Sequence, residues 1–363
     1  MKTLIVDLKE RSYPIYIESG CLNKFGDFLE KHYKGEKAAV ITDSIVKNYY
    51  SAIVEKSIED KGFDVEIIEM PPGEKFKTLS VVESIYDKLI EKGFSRDSVI
   101  ISLGGGVVGD LAGFVAATYL RGVKFIQIPT TLVAQTDSSV GGKVGVNHRL
   151  GKNLIGAFYQ PLFVFIDPEV LNTLQPRELN AGMSEVIKYG AIKDESFFEF
   201  IEKNFENMRD LKDMKKMEEA VHRSCEIKAE VVKIDEKESG LRRILNFGHT
   251  IGHTIENLTD YAVYLHGEAV ALGMIAAGKI SEKVEIFTSD KFSRLENLCK
   301  KLNVKSNFKD VNEKDLLETI SRDKKVKSGK VNFVLLEDIG KTVIRNDIPE
   351  NIVIESFNYI SEF

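Results

Sequence analysis

Short β-branched runs alternate with amphipathic stretches through the first half of the chain. Residues 38–42 (AAVIT) read as a buried strand, and 44–61 as the helix that follows it. Residues 65–70 repeat the strand signal, and Pro71-Pro72-Gly73 marks a turn before a helical stretch over 79–92. Residues 98–103 and 124–129 are further strands. Strands separated by helices demand crossover connections, so this half is predicted to be an α/β domain around a mostly parallel, Rossmann-like sheet. Beyond Gln175-Pro176 the texture changes. Residues 195–207, 214–233 and 267–286 carry helical spacing and little β signal, which predicts a mostly α-helical second half. The change of period places the boundary near residue 177, giving domains 1–177 and 178–363.

A chain of 363 residues exceeds one ordinary core and fits these two domains. It is 43% hydrophobic and 29% charged, the composition of a globular protein. A net charge of −6 leaves no electrostatic footprint for nucleic acid, although it leaves room for a local basic pocket. No stretch approaches the roughly 20 apolar residues of a membrane helix, and Asp7 cuts the first apolar run too short for a signal peptide. Cys21, Cys225 and Cys299 are odd in number, far apart and outside any CxxC, so they read as reduced thiols of a cytoplasmic protein.

Leu103-Gly104-Gly105-Gly106-Val107-Val108-Gly109-Asp110 joins a strand to an apolar helix. Without Cβ atoms such a backbone can approach a pyrophosphate, and the helix N-terminus offers free N–H groups. Gly104, Gly106 and Gly109 satisfy GxGxxG loosely, though a structural glycine turn would read the same way. Asp43, at the end of the first strong strand, and Glu74 and Lys77, after the Pro-Pro-Gly turn, are candidate ribose partners. No GKS or GKT ending follows the glycines, which argues against triphosphate hydrolysis and for a dinucleotide. The next polar run, residues 129–147, is rich in small hydroxyls and glycine, and Gly-Lys recurs at 151–152. It reads as too polar for a strand, with lysines suited to phosphate or carboxylate; an ordinary exposed loop is the competing reading.

Three of the six histidines fall at His249, His253 and His266. His249 and His253 stand four apart, one turn on one helix face, where neutral imidazoles suit zinc. The plainer alternative is two surface histidines and an unrelated third. Arg242, Asn246 and Glu268 weigh against it, because they add polar groups that a core helix would lack.

The stretches GGGVVGDLAGFVAATYLRG, IPTTLVAQTDSSVGGKVGVN, GKNLIGAF, GMSEVIKYG, RRILNFGHTIGH and LHGEAVALGM run in order from Gly104 to Met274. Together they resemble the 3-dehydroquinate synthase family, enzymes of the shikimate pathway. The resemblance implies a cytoplasmic homodimer with an NAD-binding α/β domain, a helical domain, and zinc (or cobalt) in the cleft. Its metal ligands would be Glu185, His249 and His266, with His253 moved to the substrate. Substrate residues would be Arg121, Asp137, Lys143, Asn153, Lys188, Lys228, Arg242, Asn246, His253 and one lysine of Lys324-Lys325, Lys324 being favoured. Arg121 would reach the neighbouring subunit's substrate phosphate. For NAD the implied positions are Asp43, Glu74, Lys77, Gly105, Gly106, Asp110, Thr130, Thr131, Lys152 and Thr173, with Gly109 from the glycine pattern and Lys143 also close. Glu238, four before Arg242, is expected one turn away and orienting the site; a surface ion pair is its plainer reading. The implied reaction converts 3-deoxy-D-arabino-heptulosonate 7-phosphate to 3-dehydroquinate and phosphate, a lyase reaction in which NAD is regenerated. Polyol dehydrogenases of the same fold would instead consume NAD, and other sugar-phosphate cyclases use substrates without a carboxylate.

Overall fold

A computed structural model describes residues 1–238, 240–306, 308, 311–323 and 331–363. They form two compact units, Met1–Leu174 with Asp213–Lys237, and Gln175–Lys212 with Glu238–Phe363. Among the described residues no helix is long and apolar enough to cross a membrane.

The first unit is built on β1 (Lys2–Val6), β2 (Tyr13–Ile17), β3 (Lys37–Asp43), β4 (Asp64–Met70), β5 (Val99–Gly104), β6 (Lys124–Pro129) and β9 (Val164–Ile166). They make one seven-stranded sheet in the order β1-β2-β9-β6-β5-β3-β4, parallel except for the β1–β2 pair. The predicted Rossmann-like sheet is thus present. Central β5 is buried along its whole length, which is why its sequence is apolar apart from Ser102. Helices α1 (Phe25–His32), α2 (Ser44–Val46) and α3 (Ala52–Glu59) precede β4, and α4 (Leu79–Glu91) and α5 (Gly106–Thr118) follow it. The helix expected over 44–61 is interrupted by a π-turn at Lys47–Ser51. Val54 and Ile58 of α3 pack on one face of the sheet; Val108, Leu111 and Val115 of α5 pack on the other. Adjacent β3 and β5 therefore send their chains to opposite faces, which opens a crevice at their carboxyl ends.

The reading of residues 143–147 as too polar for a strand is corrected. Lys143–His148 forms β7, antiparallel to β8 (Gly151–Phe158). Val144 and Val146 alternate inward, both buried, and that two-residue period was hidden among glycines. The glycines serve close approach: a Cβ on Gly156 would stand 2.3 Å from the Val144 carbonyl, and one on Gly113 of α5 would stand 2.3 Å from Val144 Cγ1.

The second unit opens with α6 (Pro176–Lys193) and α7 (Glu195–Arg209). The chain then rejoins the first unit for α8 (Met214–Ile234), which buries Val221 and Cys225 and packs against β1 and the turn at Ala134–Ser138. Cys225 donates its thiol hydrogen to the Gln135 carbonyl at 3.1 Å. A continuous second domain over 178–363 is therefore not what the contacts show, since an apolar helix stripe does not specify which unit buries it. The second unit resumes with α9 (His249–Leu258), α10 (His266–Lys283), α11 (Ser289–Lys300), α12 (Glu313–Asp323), the hairpin of β10 (Phe333–Asp338) and β11 (Lys341–Arg345), and α13 (Glu350–Ser361). It is mostly helical as predicted; the hairpin is an addition.

Candidate active site

In the first unit the glycine turn ends β5, and Gly105 caps α5. The turn is tight. A Cβ on Gly105 would lie 2.9 Å from Thr131 Cγ2, and one on Gly106 would lie 3.0 Å from Ser138 Oγ. The first N–H groups of α5 point outward from this bare backbone, a cradle for an anion. Thr130 and Thr131 follow β6 beside it; the Thr130 main-chain N–H donates to the Gly104 carbonyl at 3.0 Å. The buried Thr130 hydroxyl has no hydrogen-bond partner among the described residues. Asp43, at the end of neighbouring β3, accepts from the amides of Ile45 (2.8 Å) and Val46 (3.0 Å). Bare glycine backbone, an unpartnered buried hydroxyl and a carboxylate on adjacent strand ends fit a dinucleotide. Gly109 stands apart from this cradle. It lies a turn into α5, where a Cβ would meet Gln127 Oε1 at 3.0 Å, so its small size serves helix–sheet packing.

Lys77 is almost fully buried, and its ammonium donates to Asp110 Oδ2 and Asn153 Oδ1, both at 2.5 Å. Burial pushes the Asp110 carboxyl above the usual carboxylate range, against the opposing pull of the Lys77 charge. Asn147 ties this network together, and its importance is not visible in the sequence. It donates to Glu74 Oε1 at 2.7 Å and accepts from the Asn153 amide at 2.9 Å, while its own amide reaches the Lys77 carbonyl at 2.8 Å. Asn153 holds a left-handed φ of 54° to complete the arrangement. Lys228 of α8 donates to Asp137 through both Oδ1 (2.6 Å) and the carbonyl (2.7 Å). Lys143 is exposed at the start of β7, and Lys152 half-buried on β8. Thr173 bonds Tyr50 Oη at 2.7 Å. Arg121 is exposed in a turn where Leu120 (φ 49°) and Arg121 (φ 70°) are both left-handed.

In the second unit three helices bring Glu185, His249 and His266 together, with one ligand atom of each within 4.8 Å of the others. Glu185 comes from α6, where burial is complete. Its Oε2 is in ion-pair contact with Lys188, one turn on, yet neither carboxylate oxygen accepts a well-aligned hydrogen bond among the described residues. His249 Nε2 lies 3.8 Å and His266 Nε2 3.6 Å from Glu185 Oε1. The opposite ring nitrogens are engaged: His249 Nδ1 meets the Phe247 carbonyl at 3.1 Å, and His266 Nδ1 meets Glu256 Oε2 at 3.4 Å. With protons on both Nδ1 atoms, both Nε2 lone pairs converge on Glu185 Oε1, an oxygen that accepts no hydrogen bond among the described residues. Two imidazoles and a carboxylate form a donor set that fits a divalent cation with a position left open.

Burial, helped by the Lys188 charge and the other imidazoles, holds His249 well below the ordinary histidine range, in the neutral form a metal needs. Burial pulls His266 the same way, but the Glu256 carboxylate outweighs it and the net shift is upward. The His253 ring centroid stands 5.4 Å from that of His249 and 5.8 Å from that of His266. Spacing alone had paired His249 with His253; the geometry instead groups His249 with His266. Glu268 is likewise reassigned. It accepts from the Leu265 amide at 2.8 Å and is clasped by Arg177 at 2.7 Å, so it fastens the start of α10.

Arg242 and Asn246 sit on the 3-10 turn Leu241–Asn246, Arg242 only 2% exposed. Glu238 is not one helical turn from Arg242 as expected. Its backbone is left-handed (φ 58°), the helical turn begins only at Leu241, and its Oε1 accepts from Asn246 Nδ2 at 2.9 Å. Lys324 lies outside the described residues. Glu256, buried on α9, was missed, since no local pattern reveals a carboxylate whose partner is on the next helix.

Residues 67–181 match the family model described as 3-dehydroquinate synthase N-terminal, and 182–326 match 3-dehydroquinate synthase C-terminal. A 3-dehydroquinate synthase from Caldanaerobacter subterraneus subsp. tengcongensis is 49% identical over 355 residues, covering 97% of this chain and 99% of its own. Among solved structures, a 2-deoxy-scyllo-inosose synthase complexed with carbaglucose-6-phosphate, NAD+ and Co2+ aligns with a TM-score of 0.87 at 28% identity, over 99% of each chain. A 2-epi-5-epi-valiolone synthase from Streptomyces hygroscopicus subsp. jinggangensis, with NAD+ and Zn2+ bound, shares the fold with a TM-score of 0.89 at 23% identity, over 98% of each chain.

Proposed function

Because this chain belongs to the 3-dehydroquinate synthase family, we propose that it converts 3-deoxy-D-arabino-heptulosonate 7-phosphate to 3-dehydroquinate and phosphate with NAD and a divalent metal. The observation that carries the metal-dependent reading is the convergence of His249 Nε2 and His266 Nε2 on a buried carboxylate without hydrogen bonds. Zinc or cobalt held there supplies Lewis acidity toward a substrate hydroxyl, and NAD in the glycine cradle supplies a hydride acceptor restored in each turnover.

The chain's own residues bind and orient. In the first unit, Gly105, Gly106, Thr130 and Thr131 would take the pyrophosphate, and Asp43 and Glu74 the ribose side, with Lys152 and Thr173 contributing. Lys77 holds Asp110 and Asn153 in place, and Lys143 and Asn153 are assigned to the substrate phosphate. Lys228 pairs with Asp137 and fixes it in place. In the second unit Arg242 can grip a carboxylate bidentately. Glu238 aims the Asn246 amide, Lys188 adds positive charge beside Glu185, and His253 is kept for a substrate oxygen. The acting species is a homodimer in which Arg121 reaches a second copy's phosphate. Its three unpaired cysteines suit the reducing cytoplasm.

Incubation with the heptulosonate phosphate, NAD and zinc should release phosphate and dehydroquinate in equal amounts with no net NADH. Accumulating NADH would instead identify a polyol dehydrogenase. His266→Ala should lose bound zinc and turnover together; full activity without metal would sink the ligand assignment.

A further inference from the structure

The His266 ring lies between two buried carboxylates. Its Nε2 faces Glu185 Oε1 at 3.6 Å, and its Nδ1 faces Glu256 Oε2 at 3.4 Å. Glu256 is only 3% exposed, two turns along α9 from His249 on the same helix face. A carboxylate so buried is costly unless it is paired, so its presence needs a partner of this kind. His249 solves the same orientation problem with a neutral acceptor, the Phe247 carbonyl at 3.1 Å. His266 has a charged one in its place.

We propose that Glu256 is a positioning residue for the metal: it holds the Nδ1 proton of His266, so that Nε2 presents its lone pair to the ion shared with Glu185 and His249. The inference rests on the metal-binding reading of those three residues. A negative charge behind the ring also makes Nε2 a stronger donor than a carbonyl could. Helix α9 thus supplies one ligand directly and sets the orientation of another on α10.

The test is zinc affinity, measured on metal-stripped full-length protein by competition with a chromogenic chelator. Glu256→Gln keeps an acceptor oxygen without the charge and should weaken binding about tenfold, and Glu256→Ala about a hundredfold. The d–d spectrum of the cobalt-loaded variants should shift, because a ring free to turn alters the ligand field; a purely structural role would leave it unchanged. Should Glu256→Ala fail to fold, the near-isosteric Glu256→Gln decides. Parental zinc affinity and cobalt spectrum in folded Glu256→Gln and Glu256→Ala would overturn the inference alone. Zinc binding undiminished by Glu185→Ala and His266→Ala would overturn the underlying metal reading. His253, Glu256 and His266 also cluster, so one further outcome counts against the proposal. Zinc lost in His253→Ala but retained in Glu185→Ala would make Glu256 a ligand rather than a positioning residue.

Discussion

Arg242 keeps a guanidinium out of water, and such a charge has value where it meets another of opposite sign. A hydrogen bond to a charged group is worth about 1.5–3 kcal/mol, so Arg242→Ala should raise KM for the carboxylated substrate about 10- to 100-fold with a smaller change in kcat. Arg242→Lys should restore little of this, since an ammonium lacks the two-pronged geometry. An unchanged KM would remove Arg242 from the carboxylate site. The cysteines give a second prediction at this scale. Cys21, Cys225 and Cys299 are all buried, and burial pushes their thiols up, that of Cys225 to about 12. Because the thiolate is the reactive form, the native protein at pH 8 should show almost no reaction with Ellman's reagent, and all three thiols should titrate in guanidinium. Fast labelling of the native state would show a less protected interior. Histidine scarcity made His249 and His266 conspicuous in the sequence. Glu256, in HTIENL, has no such mark.

The elements carrying the proposed metal ligands meet at glycines. A Cβ on Gly267 of α10 would fall 1.9 Å from the Ala181 carbonyl of α6, and one on Gly273 would fall 1.9 Å from the carbonyl of Gly248, which caps α9. In both cases the nearest atom is a main-chain carbonyl oxygen, so neither clash can be relieved by a side-chain rotation. Overpacking typically costs about 1–3 kcal/mol. Gly267→Ala and Gly273→Ala should therefore each lower the melting temperature and, by spreading the helices, the zinc retained after dialysis. Parental melting and full zinc in both would mean the helices tolerate wider spacing. The helical period of α10 was readable from sequence, whereas α6 was not singled out there. The closeness of the two helices was not readable, because a glycine in a helix marks thinness without naming what fills the gap. The β7–β8 hairpin was misread for a related reason, its valine alternation being diluted by glycines that exist to admit another strand.

For the whole molecule, the decisive prediction concerns two copies of the chain. Arg121 is exposed in a turn with two consecutive left-handed residues, a conformation an arginine adopts at a cost. If it serves a neighbouring site, mixing Arg121→Ala with Lys143→Ala protein should restore activity, since each heterodimer contains one intact site. Under random exchange in a twofold-symmetric dimer the recovery approaches about a quarter of wild type. No recovery in verified heterodimers would place Arg121 in its own subunit's site.

The sequence by itself determined the alternation of strands and helices, the glycine turn at the head of α5 and the helix bearing His249 and His253. Those features depend on near-neighbour spacing and backbone sterics, which are local properties. Tertiary structure decided that Glu185 and His266, and not His253, complete a set with His249, and that Glu256 stands behind His266. It also returned α8 to the first unit, where Lys228 meets Asp137. These outcomes follow from which apolar faces bury one another, a choice made by the whole fold and written in no single segment.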